Sequence, residues 1–209
     1  MNDRNLSETP SSLSRSEREA LTGGPGIAIW FTGLSGAGKT TLARGLELRI
    51  AERGRLACVL DGDTLRNGLN GDLGFGPEGR RENIRRAGEL CRLLVENSLI
   101  AIAAFISPYE RDRHRARELL PAERFLEVHV ATPLETCRAR DPKGLYGKAE
   151  RGEIPHFTGV SSPYEAPSRP ELTIDTSERN VESCLDEIVA ALDGRGVFSA
   201  EAETRADSS

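Results

Sequence analysis

Residues 27–40 constrain this chain more than any other stretch. Ile27-Ala28-Ile29-Trp30-Phe31-Thr32 is an apolar run of strand length, and it ends in Gly33-Leu34-Ser35-Gly36-Ala37-Gly38-Lys39-Thr40. Leu42, Gly45, Leu46, Arg49 and Ile50 then recur at helical spacing. Gly33, Gly38, Lys39 and Thr40 fit the phosphate-binding pattern G-x-x-x-x-G-K-[ST] in the strand–loop–helix context that the pattern requires. The residue types follow from the task. Glycines let backbone N–H groups turn inward around phosphate oxygens, and the helix N-terminus adds partial positive charge. Lys39 is placed to reach the β- and γ-phosphates, and the Thr40 hydroxyl to hold Mg²⁺. The stretch from Gly33 to Thr41 therefore predicts a nucleoside triphosphate site.

The chain has 209 residues, a length that suits one domain with a proper core. Its net charge of −5 argues against a general nucleic-acid surface, although local basic clusters still matter to an anionic ligand. Cys58, Cys91, Cys137 and Cys184 lie far apart without metal-type pairing and sit in apolar runs, so they are expected to be reduced core residues of a cytoplasmic protein. No apolar stretch is long enough to span a membrane, and the first two dozen residues lack the apolar segment of a secretory signal.

Taken in order, residues 1–25 read as a largely disordered leader. Ser16-Glu17-Arg18-Glu19 has capping-box spacing for one short helix before the Gly23–Gly26 break. A first strand over 27–32 is followed by a helix that Gly54 stops near Arg53. Leu56 to Leu60 reads as a second buried strand ending at Asp61-Gly62-Asp63. After a glycine-rich loop from Asn67 to Gly79, Ile84, Ala87, Cys91, Leu94 and Val95 mark a helix from about Arg81 to Asn97. Further strands are expected at 99–106, 125–130 and 172–175, and further helices after Ser107, over 133–140 and over 181–192. Residues 141–170 are rich in Gly and Pro without a clean period; a run of that length is usually functional, and it reads as a lid. The tail from 197 reads as disordered. Alternating strands and helices imply a mainly parallel five-stranded sheet covered on both faces, a three-layer α/β/α domain over 26–196. Ligands in such sheets lie beyond the carboxyl ends of the strands, so the phosphate loop, Asp61, Asp63 and Ser107 should face one crevice.

Asp61 and Asp63 stand where a metal and an attacking hydroxyl need carboxylates, while Asp63 also suits an N-cap of Thr64-Leu65-Arg66. Phe75, flanked by glycines in a polar loop, offers an exposed stacking surface. Arg66, Arg80, Arg81, Arg85 and Arg86, with Asn83 among them, form a guanidinium cluster that suggests an anionic second substrate. Ser107-Pro108-Tyr109-Glu110 has the form of a capping box with proline at the first helical position. His114, His129 and His156 are scattered and form no catalytic pair. In the 141–170 run, Lys143 is a candidate to neutralise a transferred phosphoryl group and Phe157 to cover a base.

With these residues in view the chain resembles the adenylylsulfate kinase (APS kinase) family. The resemblance rests on Gly33–Thr41, Leu60-Asp61-Gly62-Asp63, Gly74-Phe75, Arg80, Glu82-Asn83-Ile84-Arg85-Arg86, Phe105-Ile106-Ser107-Pro108-Tyr109, Arg140–Tyr146 and Phe157-Thr158-Gly159. It covers about 27–195 in collinear order. It implies a P-loop NTPase-type fold and transfer of the γ-phosphoryl group of ATP to the 3′-hydroxyl of adenosine 5′-phosphosulfate (APS), with Mg²⁺ held by Thr40, Asp61 and Asp63. By the same resemblance Phe75 and Phe157 sandwich the acceptor adenine, and Arg66, Arg80 and Asn83 hold its phosphosulfate. Asp63, Ile106, Ser107, Lys143 and Leu145 also fall on the acceptor side, and Arg140 lies against the ATP adenine. The Ser107 position is marked in the family as a phosphoserine intermediate, whereas the capping account makes Ser107 structural. Gly79 departs from the relatives' frequent Asp and is expected to loosen the loop before Arg80. The resemblance further implies a homodimer and association with ATP sulfurylase. Another P-loop small-molecule kinase and a non-catalytic nucleotide-binding module remain the other readings.

Overall fold

The computed structural model describes residues 11–198, so the disorder expected for residues 1–10 and 199–209 lies outside the described residues. The chain runs α1 (Arg15–Thr22), β1 (Ile27–Thr32), α2 (Lys39–Glu52), β2 (Ala57–Asp61), α3 (Gly62–Asn67), α4 (Pro77–Glu96), β3 (Ile100–Ala104), α5 (Glu110–Arg117), β4 (Phe125–Val130), α6 (Leu134–Arg140), α7 (Leu145–Glu150), β5 (Leu172–Ile174) and α8 (Val181–Asp193). The five strands pair parallel in the order β2-β3-β1-β4-β5.

Strand alternation builds the layers. Ile27, Ile29 and Phe31 of β1 face one core with Leu42, Leu46 and Ile50 of α2 and Leu185, Ile188 and Leu192 of α8. Ala28 and Trp30 face the opposite core, with Ile84, Ala87, Cys91 and Val95 of α4 and Ala116 of α5. On that side small alanines (Ala28, Ala101, Ala103) leave volume for the Trp30 indole, whose ring centroid lies 5.5 Å from Phe105 and 5.9 Å from Phe125. From the adjacent ends of β1 and β3 the chain leaves to opposite faces, through α2 and α5 respectively. That divergence opens a crevice at the strand ends.

Several expectations need correction. β2 is an edge strand with only Leu60 buried, and Cys58 on it is exposed, while Cys91, Cys137 and Cys184 are buried. The short helix expected before the Gly23–Gly26 break is α1, but its capping box belongs to Ser14 and Glu17, not Ser16 and Glu19. α4 begins at Pro77, four residues early, because proline suits the first helical turn. The 141–170 stretch contains α7, and Tyr146, Ala149, Phe157 and Thr158 within it are buried. Val197 is buried and Phe198 packs on the first core, so the folded unit reaches into the stretch read as a tail.

Candidate active site

The phosphate loop follows β1, and its glycines are needed where they stand. At Gly33 (φ 151°) an added Cβ would lie 2.5 Å from the Val130 carbonyl oxygen, and at Gly36 (φ 76°) 2.8 Å from that of Cys137. Lys39 is only 8% exposed; its ammonium donates to the carbonyls of Gly33 (2.9 Å) and Leu34 (2.6 Å). Burial lowers its pKa to about 8. Thr40 and Thr41 open α2 on its exposed side, and Leu34, Ser35 and Gly36 form the partly exposed rim.

Three residues that the sequence reading missed hold this loop from behind. Thr132, just past β4, and Thr176, just past β5, each place a hydroxyl 3.0 and 2.9 Å from the carbonyl oxygen of Ala37. The Tyr146 hydroxyl donates to the Ser35 carbonyl at 3.0 Å. Arg140 donates to the Thr176 hydroxyl and carbonyl, both at 2.7 Å, which sets its guanidinium beside the loop. The one signal available for the two threonines was their place at strand carboxyl ends; a hydroxyl leaves no periodic trace.

The acidic side divides its labour differently from the expectation. Asp61, not Asp63, caps α3: its carboxylate accepts the N–H groups of Asp63 (3.0 Å) and Thr64 (2.9 Å) and the Thr64 hydroxyl (2.7 Å). Burial alone would raise the Asp61 pKa, but these three bonds, aided by Arg44, hold it below the usual carboxylate value. Asp63 is left exposed in the first turn of α3, where Lys143, from the 141–170 segment, bonds its carboxylate. Leu145 lies on the inner side of that segment, where it and Tyr146 donate their N–H groups to Asp141 at 2.8 and 3.2 Å.

The basic cluster resolves into two groups. Arg85 and Arg86 are spent on Glu82 and Asp72, and Arg81 lies 3.9 Å from Asp112. Arg66 and Arg80 have no carboxylate within ion-pair distance among the described residues. Arg66 donates to the carbonyls of Leu73 (2.9 Å) and Gly74 (3.2 Å), and Arg80 to those of Phe75 (2.8 Å) and His156 and to the Thr158 hydroxyl. Burial, and for Arg66 the neighbouring charge of Arg80, lowers both pKa values. The Phe75 ring is 63% exposed, with the Arg66 guanidinium 4.1 Å from its centre. Asn83 is buried beside them, its Oδ1 accepting from Asn70 at 2.9 Å. Gly79 does not loosen this loop: a Cβ there would collide with the Gly74 backbone, so glycine lets the loop lie against α4.

Ser107 is no helix cap. α5 starts at Glu110 behind Tyr109 without a side-chain cap bond, and Ser107 itself has φ 38°. Its hydroxyl, in a residue 2% exposed, accepts the Trp30 indole N–H at 3.2 Å and donates to the Thr32 hydroxyl at 2.9 Å. The Thr32 hydroxyl in turn bonds the Ile106 carbonyl at 2.9 Å. Phe157 is buried in the first core with its edge against Tyr146, ring centroids 5.0 Å apart. His129 stacks on Tyr164, and burial and then Arg113 keep its pKa low.

Residues 25–175 match the family model described as adenylylsulphate kinase. The chain is 51% identical over 183 residues to the adenylyl-sulfate kinase of Marinobacter nauticus, covering 88% of this chain and 92% of that protein. It is 52% identical over 188 residues to that of Shewanella amazonensis, covering 90% and 95%. Among solved structures it resembles the Mycobacterium tuberculosis APS kinase in complex with AMPPNP and APS, with TM-score 0.77, 44% identity, and coverage of 81% of this chain and 98% of that one.

Proposed function

The chain belongs to the adenylylsulfate kinase family, a family of ATP-dependent kinases, and from that premise we propose that it moves the γ-phosphoryl group of ATP to the 3′-hydroxyl of APS. One observation carries the acceptor side of this reading. Arg66 and Arg80 have no carboxylate ion-pair partner among the described residues; Arg66 lies over the exposed Phe75 ring and Arg80 bonds the Phe75 carbonyl. Two uncompensated planar cations beside an aromatic face suit an anionic nucleotide. The phosphate loop, with Lys39, serves the donor.

Phosphoryl transfer asks the protein for positioning and electrostatic stabilisation rather than covalent chemistry. Lys39 carries positive charge to the β- and γ-phosphates from a buried position behind the loop. Asp63, exposed in the crevice, orients the 3′-hydroxyl and takes its proton. Lys143 reaches the same carboxylate and so stands where charge moves between donor and acceptor. The donor set suits Mg²⁺: the Thr40 hydroxyl and the Asp63 carboxylate are hard oxygen ligands, with Asp61 already committed to its cap. Bound there with the nucleotide, Mg²⁺ would neutralise phosphate charge. The buried, doubly bonded Ser107 hydroxyl supports direct transfer over a phosphoserine intermediate. Among the described residues no helix is long and apolar enough to cross a membrane. From the family resemblance, and not from that absence, we place the enzyme in the cytoplasm as a homodimer able to associate with ATP sulfurylase.

The test is ADP release followed by a coupled assay with APS, AMP and a sugar acid as acceptors. Turnover with APS alone is expected, because AMP lacks the sulfate that the second guanidinium would hold. Comparable turnover with AMP or the sugar acid overturns the assignment of acceptor.

A further inference from the structure

Arg140 and the phosphate loop meet on one side chain, Thr176. Ala37 is fully buried, and its carbonyl oxygen receives the hydroxyls of Thr132 and Thr176. A guanidinium only donates, so the Thr176 oxygen accepts from Arg140 at 2.7 Å, and its own proton faces the Ala37 carbonyl and the Thr132 hydroxyl, both at 2.9 Å. The Thr176 carbonyl takes a second Arg140 bond at 2.7 Å. The side chain also packs against Gly38, where an added Cβ would lie 3.3 Å from the Thr176 hydroxyl oxygen.

The peptide joining Ala37 to Gly38 is planar and trans, so its C=O and N–H point to opposite sides. Fixing the carbonyl outward against two hydroxyls therefore turns the Gly38 N–H the other way. That N–H has no protein acceptor among the described residues. A left-handed Gly38 (φ 102°) completes the turn into α2.

We propose that Thr176 is a positioning residue for the phosphoryl donor. Its hydroxyl sets the Ala37–Gly38 peptide so that an N–H faces the phosphates, and the same hydroxyl with its carbonyl holds Arg140 beside the phosphate loop. The proposal rests on the reading of this crevice as the ATP site. It does not depend on which acceptor is used.

Calorimetric binding of Mg²⁺–ATP, without any acceptor, tests it on Thr176→Val and Thr176→Ser. Valine keeps shape and removes the hydroxyl; serine keeps the hydroxyl. Thr176→Val should bind ATP about tenfold more weakly, the loss of one or two well-placed hydrogen bonds. Thr176→Ser should stay within about twofold of the wild type on the same scale. In steady state the KM for ATP should rise in the valine variant while the KM for APS stays put. Wild-type ATP affinity in Thr176→Val overturns the proposal, as does equal weakening in both variants, since serine keeps the hydroxyl that valine lacks. Should Thr176→Val fail to fold, Thr132→Val removes the other donor to the same carbonyl. It must then weaken ATP binding, and unchanged affinity overturns the proposal. A wild-type protein that binds ATP but does not phosphorylate APS would sink the proposed acceptor and leave this inference standing.

Discussion

The ammonium of Lys143, in the segment between α6 and α7, bonds the carboxylate of Asp63 in the first turn of α3, eighty positions away in the chain. Both side chains are more than half exposed, so in water the pair adds little to stability. Its interest is placement: a cation and a carboxylate from opposite walls meet at the mouth of the crevice.

Asp63→Asn keeps the shape of that side chain and removes its charge and basicity. Turnover is expected to fall by about 10²-fold or more, the usual scale for a positioned general base. The melting temperature and ATP affinity should change little, since Asp61 rather than Asp63 caps α3. A variant with near-normal kcat would remove Asp63 from the chemistry.

Ser107→Ala strands the Trp30 indole N–H in the second core. A loss of about 1–3 kcal/mol in stability is expected, the cost of one unsatisfied buried donor. Trp30 is the sole tryptophan, so its fluorescence reports the change directly. Wild-type protein incubated with ATP labelled at the γ-phosphate should carry no label without acceptor. A labelled Ser107 that discharges to APS at the catalytic rate would establish the phosphoenzyme route instead.

Lys39 couples the site to pH. Its folded pKa of about 8 lies below the ordinary 10.5 because the ammonium is buried. Between those values the unfolded chain binds more protons at this position than the folded one. The stability contributed by the site therefore rises with pH through the window, and the cost is full below pH 8. Stability of the wild type relative to Lys39→Met should improve by roughly 1–3 kcal/mol across it. A flat difference in denaturant titrations would mean a solvated lysine. Turnover in Lys39→Ala should drop by about 10²-fold or more, as for other lost electrostatic donors.

Phe75→Ala should weaken APS binding by about 1–3 kcal/mol, the value of one base–aromatic stack, and leave ATP binding nearly intact. Calorimetry with each ligand separately makes the comparison. Equal weakening of both would mark Phe75 as a support of the loop rather than a surface for the acceptor.

The strand–loop–helix unit, the alternation of elements and the parallel sheet were legible in the chain because each is a local or periodic signal. Gly33, Gly38 and Lys39 declare a phosphate loop within eight residues, and Ile27 to Thr32 is an apolar run of strand length. What tertiary structure decided was how shared residue types divide their roles. Asp61 and Asp63 are two residues apart, and only the direction of α3 makes one a cap and leaves the other facing Lys143. Ser107 has the neighbours of a helix cap in sequence, yet Trp30 and Thr32 on the adjacent strand claim its hydroxyl. Of five clustered arginines, distant or neighbouring carboxylates compensate Arg81, Arg85 and Arg86, while among the described residues Arg66 and Arg80 have no ion-pair partner and bond carbonyls and a hydroxyl. Thr132 and Thr176 join the phosphate loop because β4 and β5 end beside it. Hydrogen bonds and ion pairs are satisfied by whichever partner the fold brings within about 3 Å, and that proximity is not written in any one stretch of sequence.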